Sequence, residues 1–162
     1  MSDIKPVRVL FVCMGNICRS PTAHGVFQAL VAAEGLEASI GVDSAGTHGY
    51  HTGSPPDPRS QATARAHGVD LSALRARRFE SADFRDFDYL LAMDRGNLAD
   101  MLALRPGRDD TAPELMLAYS SRFREQEIPD PYYGNDGFEL VFEMIDDASR
   151  GLLRQIREHH QI

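Results

Sequence analysis

Residues 7–22 restrict the architecture more than any other stretch of this chain. They run from Val7 through Cys13, Gly15, Asn16 and Arg19 to Ser20, Pro21 and Thr22. Val7, Val9, Leu10, Phe11 and Val12 form an apolar, β-branched run that only Arg8 interrupts. Such a run suits a central strand of a parallel sheet, buried on both faces. Ser20 is expected to cap a helix, with Pro21 at its first position, where a missing N–H costs nothing. Ala23, Val26, Phe27, Leu30 and Val31 then recur at helical spacing. A strand, a tight loop and a helix in succession turn backbone N–H groups and the positive end of a helix dipole onto one spot. That is an anion site.

The loop residues suit a tetrahedral oxyanion. Gly15 and Asn16 tolerate the left-handed backbone that a closed loop needs. Arg19 offers a planar fork that matches two oxygens of a phosphate. Cys13 stands at the floor, in a positive field of the kind that makes a thiol nucleophilic. Ser20 can donate a hydrogen bond to its sulfur. A lone cysteine at a strand end is more often a small buried hydrophobe. Here cysteine, glycine, asparagine, arginine, serine and proline all fit one design. A metal reading is weaker, because Cys13 and Cys18 supply half a zinc site and the chain has no further cysteine. Neither a metal nor another cofactor is expected. The Gly-Lys-Ser/Thr ending of a Walker loop is absent.

The 162 residues fit one domain, 1–162, with a sizeable core. A net charge of −7 argues against non-specific nucleic-acid binding. The run Arg75-Ala76-Arg77-Arg78 reads as a solvated stretch. Met1 to Pro6 is polar and lacks the apolar region of a signal peptide, and no apolar run reaches membrane-spanning length. Two cysteines do not make a secreted disulfide framework, so the cytoplasm is the expected compartment.

Strand and helix signals alternate along the chain. Residues 38–43 suggest a second strand, and a Gly/Pro/Ser-rich loop covers 44–58. Residues 59–67 suggest a helix closed by Gly68. Residues 71–84 suit short helical turns, 88–93 a strand and 94–104 a helix. Residues 115–118 suggest a fourth short strand and 128–137 a loop. Residues 138–159 form a long amphipathic helix with Leu140, Val141, Met144, Ile145, Ala148, Leu152, Leu153 and Ile156 on one face. This alternation argues for an open, mostly parallel α/β sheet. Ligands in such sheets sit at the carboxyl ends of strands, which is where the Cys13 loop lies.

Asp130-Pro131-Tyr132-Tyr133-Gly134-Asn135-Asp136 is a second constellation. A phosphate ester needs its leaving oxygen protonated, and a carboxylic acid on a loop can do that. Pro131 keeps Asp130 extended. Tyr132 and Tyr133 can wall a pocket and stack on an aromatic substrate. An ordinary surface turn has the same composition, and composition alone favours the turn.

Taken together, these segments resemble the low-molecular-weight protein tyrosine phosphatases over nearly the whole chain. The resemblance rests on residues 12–21 (Val-Cys-Met-Gly-Asn-Ile-Cys-Arg-Ser-Pro), Val-Asp-Ser-Ala-Gly-Thr at 42–47 and His-Gly-Val at 67–69. It continues in Phe-Asp-Tyr-Leu-Leu-Ala-Met-Asp at 87–94 and Asp-Pro-Tyr-Tyr-Gly at 130–134. It implies an α/β fold, a three-layer sandwich around a four-stranded parallel sheet of flavodoxin-like strand order. It implies hydrolysis of phosphotyrosine and aryl phosphomonoesters through a phosphocysteine, without metal. By the resemblance, Cys13 is the nucleophile, Arg19 binds the phosphate and Asp130 is general acid, then general base. Met14, Gly15, Asn16, Ile17, Cys18 and Ser20 complete the phosphate-binding loop, which Asn16 and Ser44 brace. Met14, Tyr50, Tyr132 and Tyr133 line the substrate pocket. Cys18 resembles the family's second loop cysteine, which can form a reversible disulfide with Cys13 under peroxide. Leu74 falls where some members carry a histidine that supports the loop asparagine. His48 and His51 match no clear family role and read as surface loop residues rather than catalysts, with either able to touch substrate.

The implied partner is a phosphotyrosine-containing protein or a small aryl phosphate, with no nucleic acid and no membrane. The chain is expected to be a monomer or a weak dimer. Arsenate reduction, known on a similar fold, needs relay cysteines far down the chain, and none follows Cys18. A non-catalytic phosphate binder would not need Cys13, Arg19 and Asp130 together.

Overall fold

The apolar run at the start becomes β1 (Val7–Cys13), the strand on which the sheet is built. β2 (Ile40–Gly46) and β3 (Tyr89–Ala92) pair with it on either side, and β4 (Pro113–Leu115) extends the sheet beyond β3. All pairings are parallel, in the order β2-β1-β3-β4. This is the flavodoxin-like order that the sequence led us to expect. The computed structural model describes residues 6–107, 110–134 and 136–162. The polar N-terminal residues 1–5 and Asn135 of the tyrosine loop lie outside that set.

Side chains alternate across β1, as the pleat requires. Val9 and Phe11 pack against Ala23, Val26 and Phe27 of α1 (Arg19–Ala33) and against Ile145, Leu152 and Ile156 of α5 (Phe138–His160). Leu10 and Val12 face the opposite way, onto Phe79, onto Phe84 of α3 (Asp83–Asp86) and onto Met101 of α4 (Arg95–Leu104). The result is three layers with a core on each face of the sheet. α2 (Pro58–Ala66) packs beside α1 and α5. Arg8, the one charge in the run, is exposed and lays its guanidinium over the Phe87 ring at 4.5 Å.

Several local expectations are corrected. Cys18, not Ser20, occupies the cap of α1, and Pro21 lies within its first turn. Ser20 is buried and its hydroxyl serves the loop instead. The second strand runs further than expected, through Ser44 and Ala45 to Gly46. There Gly46 pairs with Arg78 in a non-helical stretch over 74–80, and the short helical turns expected over 71–84 are confined to its ends, at 72–73 and from 81 into α3. Arg77 is consequently half-buried, ion-paired to Asp43 and Asp83, not solvated. The fourth strand ends where the apolar run begins, and residues Met116–Tyr119 form a 3₁₀ turn that still buries Met116 and Leu117. Leu140 is 45% exposed, because the phase of α5 turns Phe138, Val141, Phe142 and Ile145 inward. Among the described residues, no helix is long and apolar enough to cross a membrane.

Candidate active site

The loop between β1 and α1 is shaped from outside. The Cys13 and Met14 carbonyls accept from the backbone N–H groups of Thr47 and His48, at 2.9 and 3.0 Å. The Ile17 carbonyl accepts from Asp57 N–H at 2.8 Å, and the Cys18 carbonyl from Thr22 Oγ1 at 2.7 Å. These four carbonyls are thereby taken up by partners outside the loop, and a loop leading into a helix N-terminus in this way has its N–H groups left for an anion. Gly46 permits this approach, since a Cβ there would lie 2.8 Å from the Met14 carbonyl oxygen. Asn16 takes the left-handed conformation, with φ of 57°.

Asn16 is also the internal brace. Its Oδ1 accepts from the Arg77 backbone N–H at 3.1 Å, and its Nδ2 donates to Ser20 Oγ at 2.7 Å. The Ser20 proton is then left for Cys13 Sγ, at 3.0 Å, or the Ala45 carbonyl, at 3.3 Å. The support under the asparagine is therefore a backbone N–H. Leu74 packs against the core. Among the described residues Ser44 makes no hydrogen bond to the loop. Its hydroxyl pairs with His24 Nδ1 at 2.9 Å, so the expected brace is corrected to a contact between α1 and β2. Burial pushes the Cys18 thiol up to about 12, with Asp57, Cys13 and Asp130 adding to it against a hydrogen bond with Ser60. Cys18 is thus a neutral thiol at pH 7.

Arg19 is 2% exposed and crosses under the site. Its Nη1 donates to Asp94 Oδ2 at 2.6 Å and to the Ile128 carbonyl at 2.9 Å. Its Nη2 lies 3.5 Å from Asp130 Oδ2. Burial alone would pull its pKa down, but Cys13, Asp94 and Asp130 outweigh that and hold it above the ordinary arginine value. Arg19 Nε is buried and has no protein partner among the described residues. A permanently charged donor remains there for an anion. Asp130 Oδ1 accepts from the Tyr132 backbone N–H at 3.1 Å, a turn that fixes the carboxylate over the loop.

Cys13, Met14, Gly15, Ile17, Cys18, Arg19, Asp130, Tyr50, Tyr132 and Tyr133 line one cavity of about 250 Å³. Asn16 and Ser20 lie behind its floor, 2% and 0% exposed. His51 also lines it. A Cβ on Gly15 would stand 3.0 Å from the His51 ring. His48 lies outside the cavity lining, bonded to Thr47 and stacked on Tyr50. The sequence reading missed Asp94. It stands at the carboxyl end of β3, where acidic residues in a parallel sheet merit attention. It also missed Asp57 and Arg59, which carry no motif of their own.

The family model described as Low molecular weight phosphotyrosine protein phosphatase matches residues 8–162. A low molecular weight protein-tyrosine-phosphatase of Streptomyces coelicolor is 44% identical over 155 residues, covering 93% of this chain and 94% of the relative. The crystal structure of YfkJ from Bacillus subtilis superposes with a TM-score of 0.92 at 36% identity, covering 98% of this chain and 99% of that one. A Drosophila protein described as an arginine phosphatase superposes with a TM-score of 0.83 at 33% identity, covering 92% and 97%. With the loop geometry and this breadth of match in agreement, the chain belongs to the low molecular weight phosphotyrosine protein phosphatase family.

Proposed function

We propose that this protein hydrolyses phosphotyrosine and related aryl phosphomonoesters through a phosphocysteine intermediate, without metal. The observation that carries the reading is the convergence of Cys13, Arg19 and Asp130 on one cavity walled by Tyr50, Tyr132 and Tyr133. In the first step Cys13 Sγ attacks phosphorus. A P–S bond forms, the P–O bond to the leaving group breaks, and Asp130 gives that oxygen its proton. Arg19 and the loop N–H groups hold the equatorial oxygens throughout, supplying the charge stabilisation that a metal gives elsewhere. In the second step Asp130 takes a proton from water as its oxygen attacks phosphorus. The P–S bond breaks, the sulfur leaves as thiolate and Ser20 stabilises it. Cys18 is assigned the role of reversible oxidation partner for Cys13.

The test is hydrolysis of para-nitrophenyl phosphate and of phosphotyrosine in EDTA. Wild type should turn over with a bell-shaped profile on the acid side of neutral, since Cys13 must be ionised and Asp130 protonated. Cys13→Ser should be inactive. Asp130→Asn should lose about a hundredfold or more. A profile flat through neutrality, or turnover abolished by EDTA, contradicts the reading. The Drosophila relative makes phosphoarginine the competing substrate. Among the described residues the cavity offers that guanidino group one carboxylate, Asp130, amid aromatic walls, so the aryl ester is the expected preference.

A further inference from the structure

Arg59, at the start of α2, spends its whole guanidinium on one task. Nε and Nη2 donate to Asp57 Oδ1 and Oδ2, at 3.0 and 2.9 Å. Nη1 donates to the Gly134 carbonyl at 2.6 Å, and Nη2 also to the Tyr132 carbonyl at 3.0 Å. The planar group lies over the Phe138 ring at 4.7 Å, with Tyr132 at 5.8 Å. Asp57 in turn caps α2 through Arg59 N–H and gives its own N–H to the Ile17 carbonyl of the phosphate loop. A continuous chain of bonds therefore runs from the phosphate loop, through Asp57 and Arg59, to both residues flanking Tyr133. Neither Asp57 nor Arg59 lines the cavity.

We propose that Arg59, held by Asp57, is a positioning residue that sets the loop carrying Asp130, Tyr132 and Tyr133 against the phosphate loop. The proposal rests on the reading of Asp130 as general acid. An exposed ion pair is ordinarily worth little. This one differs because a paired fork fixes the guanidinium plane, and that plane then reaches carbonyls of a segment 73 and 75 residues away. The Tyr132 backbone joins the two ends: its N–H holds the Asp130 carboxylate while its carbonyl accepts from Arg59. Movement of that peptide displaces the acid. The Arg59 guanidinium also holds the Asp57 carboxyl below the usual carboxylate range, so the clamp stays ionised wherever the enzyme is expected to work.

A leaving-group comparison reads acid placement apart from general damage. Phenyl phosphate needs its leaving oxygen protonated, whereas dinitrophenyl phosphate leaves as a stable anion. kcat/KM is measured on both for wild type, Arg59→Met, Arg59→Lys and Asp130→Asn. Arg59→Met keeps the apolar stem over Phe138 but loses the fork. It should fall about tenfold on phenyl phosphate and no more than about twofold on dinitrophenyl phosphate. Arg59→Lys, which can serve Asp57 or a carbonyl but not the full set, should fall between and keeps the test open if Arg59→Met folds poorly. Competitive inhibition by inorganic phosphate should stay within about twofold of wild type, because the phosphate loop is intact. Equal losses on both esters, or a matching loss of phosphate affinity, overturn the positioning role. A selective Asp130→Asn beside unselective Arg59 variants overturns the proposal for Arg59 alone. An unselective Asp130→Asn overturns the acid assignment and the Arg59 proposal with it.

Discussion

Two carboxylates hold Arg19, and they do different things. Asp94 sits at 2.6 Å and also caps α4, accepting from Asn97 N–H at 2.8 Å. Asp130 sits at 3.5 Å and lines the cavity, which Asp94 does not. A short charge-assisted bond fixes where the guanidinium points. Asp94→Asn separates the two duties of Asp94, because asparagine caps a helix as well as aspartate does while losing the charged bond. We expect a loss of about 1–3 kcal/mol in stability, because the amide nitrogen then faces the buried Arg19 guanidinium, and kcat/KM for para-nitrophenyl phosphate reduced about tenfold, the scale of one hydrogen bond to a charged group. Unchanged kcat/KM would show that Arg19 keeps its place without Asp94. At this scale the sequence is readable where the chemistry is contiguous, as from Cys13 to Ser20. It is silent where partners meet across distance, as Arg19 meets Asp94 and Ile128, separated by 75 and 109 residues. Spacing encodes nothing about such pairs.

Elements were legible in proportion to their periodicity. α5 announced itself over more than twenty residues, and only its phase was misjudged, at Leu140. The apolar run at 115–118 was too short for its pattern to choose between strand and turn. The backbone settled it, with Leu115 closing the ladder to β3 and Met116 turning into the core. That turn matters because α5 rests on it. A Cβ on Gly151 would stand 1.9 Å from the Tyr119 carbonyl oxygen, a backbone atom that cannot swing aside. Asp147, one turn earlier, accepts from Ser120 Oγ and from the N–H groups of Ser121 and Arg122, at 2.9 and 3.1 Å for the latter two. Helix and turn are therefore locked at a close approach. Gly151→Ala should destabilise the fold by about 1–3 kcal/mol despite alanine's better helix propensity. Urea unfolding checks it, and a gain in stability would mean that the turn can retreat without cost.

Across the whole molecule, several groups bind protons less readily folded than unfolded, and they act in separate pH windows. The Arg59 guanidinium lowers Asp57. Asp147 is lowered because hydrogen bonds from Ser120, Ser121 and Arg122 outweigh its burial. A lowered carboxylate contributes stability that is complete above its unfolded value of about 4 and is lost as pH falls through its folded value. Neither carboxylate therefore changes stability between pH 7 and about 5. His24 does. Burial lowers it and Arg77 adds to that, against Asp43. Its ring is bonded to Ser44, across the junction of α1 and β2. The unfolded chain takes up that proton near pH 6.5 while the folded chain resists, so stability falls as pH drops below about 6.5 and continues to fall until the folded value is reached. That window overlaps the acid-side activity expected for Cys13 and Asp130, so turnover and stability should pull in opposite directions there. His24→Gln keeps a side-chain amide for Ser44 but cannot titrate. The wild-type melting temperature should fall more steeply than that of His24→Gln between pH 7 and 5, with the two curves converging in slope above neutrality. Parallel curves across that interval would mean that His24 is protonated as easily in the folded protein as in the unfolded chain.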